Sequence, residues 1–214
     1  MIRKIAIFGA GGFGREICCL IAELIKDGAS WEFIGFFDDG LSKGTMVKYG
    51  EILGGRLELN EIPFELDLVI AIGNGVSRKK LVEGITNANI GFPTVYPNDM
   101  RFLDIESNTM GKGNIFFSKC SLSCDVEIGE FNIFNGSISV GHDTKVGNFN
   151  TFMPASRISG DVNIGDCNLF GTSTIIIQGI NIGKYTNISP GSVILKNTSD
   201  SETYIGNPAK KFKF

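Results

Sequence analysis

Ile128-Gly129-Glu130-Phe131-Asn132-Ile133-Phe134-Asn135-Gly136-Ser137-Ile138-Ser139-Val140-Gly141-His142-Asp143-Thr144-Lys145 is one eighteen-residue period of a longer pattern, and it decides the fold. Three large apolar residues, Ile128, Phe134 and Val140, stand six apart within it. Stepping by six from Met110 through Phe116 and Leu122 to Ile194 meets fifteen positions, all of them apolar. In a chain that is 43% apolar, one fixed register gives such a run by chance about three times in a million. Glycine follows every third member, at Gly111, Gly129, Gly147, Gly165 and Gly183, so three sixes make one structural turn.

A six-residue unit is too short for a helix with its own turn, but it suits a short strand and a corner, with one large side chain facing inward. Three units close a triangle. Stacked triangles set parallel strands roughly 4.8 Å apart and satisfy the backbone between coils, which predicts a parallel β-helix. Residues two before each inward position, such as Cys120, Val126, Thr144, Ser156, Val162, Thr174, Thr186 and Ser192, are small, β-branched or uncharged, as a crowded inner corner requires. Asn114, Asn132, Asn150 and Asn168 also repeat every eighteen residues, a spacing that predicts an amide ladder down one corner. The period itself leaves the hand of the coil open, and the general crossover rule favours the right hand.

Upstream the pattern changes. Residues 3–8 form an apolar run ending in Gly9-Ala10-Gly11-Gly12-Phe13-Gly14, and residues 15–25 then carry apolar side chains at helical spacing. A second strand over residues 33–37 ends at Asp38-Asp39. A third, over residues 66–72, ends at Gly73-Asn74-Gly75 ahead of a helix over residues 77–87. This order predicts a small Rossmann-like parallel α/β domain over residues 1–92, followed by the β-helix and a tail over residues 93–214. Gly9, Gly11 and Gly14 match G-x-G-x-x-G, where free backbone N–H groups at a helix start favour a phosphate. NAD is not expected, because there is no room for the second mononucleotide half of a full dinucleotide fold. A single nucleotide, such as the diphosphate end of an activated sugar, fits better, and glycines serving only close helix packing are the alternative.

Composition narrows the function further. The 214 residues carry 20% charged side chains and a net charge of −3, with lysines and arginines scattered, so no nucleic-acid footprint is visible. No run is long and apolar enough for a membrane span and no leader pattern opens the chain, so a cytoplasmic protein is expected. Five cysteines lack paired spacing and read as reduced thiols; with a single histidine, His142, no metal set is expected.

His142 lies two residues after the inward Val140, near a corner where polar side chains can leave the coil. Its neutral imidazole can accept a proton. Asp143 could orient the ring, although strand neighbours point to opposite faces, so the contact needs corner geometry. Gly160, eighteen residues on, falls one coil further along the same edge, where its N–H can face a developing oxyanion. A surface histidine and a turn glycine are the plainer readings of these two residues.

The hexapeptides and the closing Tyr204-Ile205-Gly206-Asn207-Pro208-Ala209-Lys210 resemble the left-handed β-helix acyltransferases, which are generally trimers using acyl-CoA. Ile7-Phe8-Gly9-Ala10-Gly11-Gly12-Phe13-Gly14-Arg15-Glu16, Gly35-Phe36-Phe37-Asp38-Asp39 and Ala71-Ile72-Gly73-Asn74 followed by Arg78-Lys79-Lys80-Leu81 resemble the NeuD/PglD-type sugar acyltransferases. The resemblance implies a left-handed coil, a homotrimer, and an acetyl-CoA-dependent N-acetyltransferase working without metal or NAD. Its acceptor would be the amine of a UDP-, dTDP- or GDP-linked 4-amino-4,6-dideoxy sugar made for surface glycans. A sialic acid type O-acetyltransferase and a non-catalytic nucleotide-sugar-binding scaffold are the alternatives. By the same resemblance Gly9, Gly11, Gly12, Asp38, Asp39, Gly73 and Asn74 surround the nucleotide, and Asn135 lies near the acceptor. His142 is the general base with Asp143 as its partner, and Gly160 binds the oxyanion. Gly171, Thr172, Ser173 and Gly191 follow the pantetheine arm, and Lys210 or Lys211 meets CoA phosphates. Thr151 stands where many relatives carry a second histidine associated with the acyl-CoA. Direct attack is expected rather than a covalent route through Cys120, Cys124 or Cys167.

Overall fold

A computed structural model describes residues 2–212. The chain divides between Val95 and Tyr96, three residues beyond the division expected from sequence.

In the amino-terminal unit the elements run β1 (Arg3–Phe8), α1 (Gly12–Lys26), β2 (Trp31–Phe37), β3 (Met46–Val47), β4 (Gly50–Gly54), α2 (Arg56–Asn60), β5 (Leu66–Ile70), α3 (Gly75–Glu83) and β6 (Ile90–Gly91). The sheet order is β3-β4-β2-β1-β5-β6, parallel throughout except for β3, which is antiparallel to β4. Burial explains the pattern: Ile5, Ala6, Ile7, Leu66 and Leu68 have no exposed surface, and α1 turns Ile17, Leu20 and Ile21 inward. After β2 lies on one side of β1, the chain crosses to put β5 on the other, so strand order reverses about β1. The loops leaving β1 and β5 then lie side by side at the carboxyl edge of the sheet, where the strand order reverses. The expected strands and helices are present, and β3, β4, α2 and β6 are added, each too short to leave a periodic trace.

The second unit is a three-sided parallel coil. The first face stacks Arg101–Phe102, Ser121–Leu122, Ser139–Val140, Arg157–Ile158, Ile175–Ile176 and Val193–Ile194. The second stacks Thr109–Met110, Glu127–Ile128, Lys145–Val146, Asn163–Ile164 and Asn181–Ile182. On the third, Ile115–Phe116, Ile133–Phe134, Thr151–Phe152, Leu169–Phe170 and Asn187–Ile188 end in a hairpin of Thr203–Gly206 and Ala209–Phe212. Phe102 pairs with Leu122 rather than with a residue eighteen on, so the coil starts before the period and out of phase with it.

Inward side chains at the six-residue positions form one apolar column. Phe116, Phe134, Phe152 and Phe170 stack face to face at 4.4, 4.7 and 4.4 Å between ring centres. The amide ladder forms: Asn132 Nδ2 donates to Asn114 Oδ1, and Asn150 Nδ2 to Asn132 Oδ1, each at 3.1 Å. Asn150 Oδ1 in turn accepts the N–H of Asn168.

The corners take two devices that composition does not separate. Left-handed backbone falls at a fixed place in each hexapeptide, at Phe131, Ser137, Asp143, Phe149, Ala155 and Asp161 among others, mostly without glycine. The glycines that follow the inward residues answer a different need. A Cβ at Gly129 would stand 2.6 Å from the carbonyl oxygen of Gly147 in the next coil, so the side chain is absent to let the backbones stack.

Replacing Asn150 by Ala is expected to cost about 1–3 kcal/mol, because buried ladder partners lose their bonds. The exposed Asn163→Ala should stay within about 0.5 kcal/mol. Equilibrium urea unfolding of the two variants checks the difference.

Candidate active site

His142 sits at the corner between the first and second faces of the coil, and the hexapeptide rule places it there: Val140 faces inward and the chain turns immediately after. Asp143 is the left-handed residue of this corner, with φ of +57°. That rotation takes its side chain off the alternation of a strand, and Oδ2 reaches His142 Nδ1 at 2.7 Å. Both side chains are accessible, at 49% and 62% exposure, so a substrate can approach the ring.

Inter-coil pairing fixes what lies on either side of the histidine. The N–H of Asp143 donates to the carbonyl of Cys124 at 3.2 Å, and the N–H of Asp161 donates to the carbonyl of His142 at 2.7 Å. Cys124, His142 and Gly160 therefore form one column. The imidazole packs on the Gly160 coil, since a methyl group at Gly160 would stand 2.5 Å from Nε2. Gly160 is buried, its carbonyl accepts the N–H of Gly179, and its own N–H meets no acceptor among the described residues. The arrangement offers a base, a carboxylate behind it and a donor beside it.

Sequence reasoning set the cysteines aside because none has a histidine close in sequence, and it missed that Cys124 stacks one coil before His142. The eighteen-residue spacing was the available signal. The ring leans toward Gly160, on the opposite side from Cys124. Cys120 is buried, and desolvation pushes its thiol up to about 11, so at neutral pH it stays protonated and a poor nucleophile. Cys167 is also buried.

The other expected groups gather elsewhere. Asn135 lies at the corner between the third and first faces, where its Nδ2 donates to the Phe152 carbonyl at 3.1 Å. Gly171, Thr172, Ser173 and Gly191 continue that edge, with Thr172 and Ser173 exposed and Gly171 buried. One chain thus keeps these residues across the whole first face from His142 and Gly160, roughly 15–20 Å at about 3.3 Å per extended residue.

Thr151 is buried on the third face, at 4% exposure. Lys211 is ion-paired to Glu202. Lys210 lines a cavity of about 390 Å³ with Lys196, Ile194, Leu195 and Tyr204.

At the sheet edge of the amino-terminal unit, Gly9 is left-handed and a Cβ there would meet Ala71 O at 2.9 Å, while Gly14 packs against the carbonyl of Gly9. Side-chain atoms built at Gly11 or Gly73 meet nothing within 4 Å, so these two face open space. Asp38 ties the loop down, accepting from the N–H of Ala10 and of Gly40, each at 2.9 Å. Asp39 accepts from the Arg56 N–H at the start of α2 at 2.7 Å. Both aspartates border a cavity of about 280 Å³ with Ser42, Lys43 and Arg56. Asn74 caps α3 through the N–H of Ser77. Among the described residues no group of three His, Cys, Asp or Glu can hold a metal ion, and no helix is long and apolar enough to cross a membrane.

Residues 4–85 match the family of PglD N-terminal domains. The structure is similar to the acetyltransferase domain of PglB from Neisseria gonorrhoeae FA1090 in complex with acetyl coenzyme A. The TM-score is 0.88 and the identity 28%, over 99% of this chain and 100% of that one. WeeI from Acinetobacter baumannii AYE gives 0.88 and 29%, over 98% and 100%. A histidine-to-asparagine mutant of perosamine N-acetyltransferase from Caulobacter crescentus, in complex with CoA and GDP-perosamine, gives 0.88 and 25%, over 100% and 99%. No curated protein matches the sequence.

Gly160→Ala should displace the imidazole from its place beside Asp143 while leaving the inter-coil backbone bonds intact. Turnover is expected to fall by about a hundredfold, the size of effect that follows from an ångström of misplacement. Steady-state kinetics beside a melting curve checks it.

Proposed function

We propose that this chain is a sugar acetyltransferase of the NeuD/PglD type that transfers the acetyl group of acetyl-CoA to the amine of a nucleotide-linked 4-amino-4,6-dideoxy sugar. The observation that carries the reading is the exposed His142–Asp143 pair packed on Gly160. The relative in complex with CoA and GDP-perosamine supports the amino-sugar acceptor, and the one in complex with acetyl coenzyme A supports the donor.

The chemistry follows from the geometry. With its carboxylate on Nδ1, Asp143 holds the proton on that nitrogen and leaves the Nε2 lone pair for the substrate. The neutral amine attacks the thioester carbonyl, forming the C–N bond and moving the carbonyl electron pair onto oxygen. The free N–H of Gly160 stabilises that charge. Nε2 takes the proton from the attacking nitrogen. When the oxyanion collapses and the C–S bond breaks, the imidazolium returns this proton to the departing CoA sulfur. No cysteine is acylated on this path, in keeping with the lean of the ring away from Cys124.

A single chain keeps Asn135, Gly171, Thr172, Ser173 and Gly191 away from the histidine edge. For one acetyl-CoA to meet both groups, a second copy must bring its opposite edge against His142, and a closed ring of three copies does this with one type of contact. The diphosphate of the acceptor belongs at the loops of Gly9, Gly11, Gly12, Gly73 and Asn74, where Gly11 and Gly73 face open space beside the start of α1.

His142→Ala is expected to lower kcat by about two to four orders of magnitude, with melting temperature and oligomer size unchanged. A variant with near-wild-type turnover would exclude the base. Cys124→Ser should keep its turnover, and intact-mass spectra during turnover should show no acetyl group on the protein. Trials of UDP-, dTDP- and GDP-linked amino sugars against their hydroxyl counterparts separate N- from O-acetylation.

A further inference from the structure

Among the described residues Arg78 is the largest side chain buried to within 2%, at 1% exposure, and it lies in the first turns of α3. Burying a guanidinium is costly unless its N–H groups are bonded. A cation near a helix amino terminus also opposes the helix dipole. An arginine here therefore answers a need other than packing or helix propensity.

Its bonds show which. Nη1 donates to the carbonyl of Ile72 and to the carbonyl of Gly73, the latter at 3.1 Å. These are successive carbonyls of the loop that leaves β5. With both oxygens drawn back toward the guanidinium, the loop is held in one conformation between β5 and Asn74, whose side chain already caps the helix through Ser77. On its other side the same loop adjoins the glycine loop, because the N–H of Ala71 donates to the Phe8 carbonyl and Gly9 packs on Ala71. Gly73 faces open space there.

We infer that Arg78 is a positioning residue for the nucleoside diphosphate: without touching it, the guanidinium, through Nη1, fixes the loop of Ile72, Gly73 and Asn74 so that this loop and the α1 amino terminus form one cradle for the phosphates. The inference rests on the proposed acceptor site in this unit. It requires the reach of the guanidinium and not merely a positive charge, because both bonds leave Nη1 and a lysine side chain ends one bond short of that atom. A phosphate dianion at the loop also offsets the unfavourable placement of the cation at the helix start.

The test compares wild type, Arg78→Lys and Arg78→Gln by calorimetric titration with UDP, dTDP and GDP and, separately, with acetyl-CoA, using full-length protein shown by melting to be folded. Amide hydrogen exchange over residues 72–77 is read in parallel. Both variants are expected to bind the preferred diphosphate at least about tenfold more weakly, a loss of about 1.4 kcal/mol. Acetyl-CoA affinity should change less than twofold, the KM for the nucleotide sugar should rise with kcat nearly unchanged, and exchange at residues 72–77 should quicken. Wild-type diphosphate affinity in Arg78→Lys overturns the inference alone. A uniform loss of both ligands overturns it in favour of a general structural role. If wild type binds acetyl-CoA and none of the three diphosphates, the acceptor reading itself falls and the inference with it.

Discussion

Everything in the carboxyl-terminal unit depends on backbone hydrogen bonds between coils held in an eighteen-residue register. The N–H of Gly141 donates to Ile158 O at 2.9 Å, and that of Gly147 to Ile164 O at 2.8 Å. A slip of one residue would turn the inward phenylalanines out and the outward polar residues in. The register is therefore locked by burial, and it also brings distant residues together: Cys124, His142 and Gly160 become neighbours because each stands one circuit from the next.

The site uses the two corner devices in different ways. The left-handed turn, repeated around the coil for geometric reasons, at Asp143 brings a carboxylate to the imidazole. The missing side chain, required elsewhere so that coils can stack, at Gly160 leaves a bed for the ring and an amide beside it. The proposed function occupies positions that the fold already constrains, and its chemistry would need only the choice of His at one corner and Asp after it. The amino-terminal sheet follows a similar economy, in which reversal of strand order about β1 brings two glycine-bearing loops to one edge.

Legibility in the sequence followed the physics. One large apolar side chain per six residues is a strong periodic signal, so the coil, its inner column and the asparagine ladder were all readable. The left-handed corners were not, because they are filled by Asp, Phe, Ser, Ala and Cys, which share no composition; backbone closure selects the conformation. The glycines were visible, but their reason, the 2.6 Å approach of the next coil at Gly129, is a tertiary fact. The strands β3 and β6, two residues each, lie below any pattern. Thr151 was placed by analogy with a histidine in relatives, and its burial on the third face could not be read from that analogy. Arg78 was quoted only as part of a motif, since nothing local indicates that its side chain turns back to the carbonyls of the preceding loop.

The central claim is that the thioester lies over the Gly160 corner with its carbonyl carbon open to a substrate held by His142. A crystal structure with acetyl-CoA bound tests it most directly. The account predicts the acetyl oxygen within hydrogen-bonding distance of the Gly160 N–H and Nε2 on the open side of the carbonyl. A thioester resting on the second face beside Glu127 and Lys145, away from that corner, would contradict it.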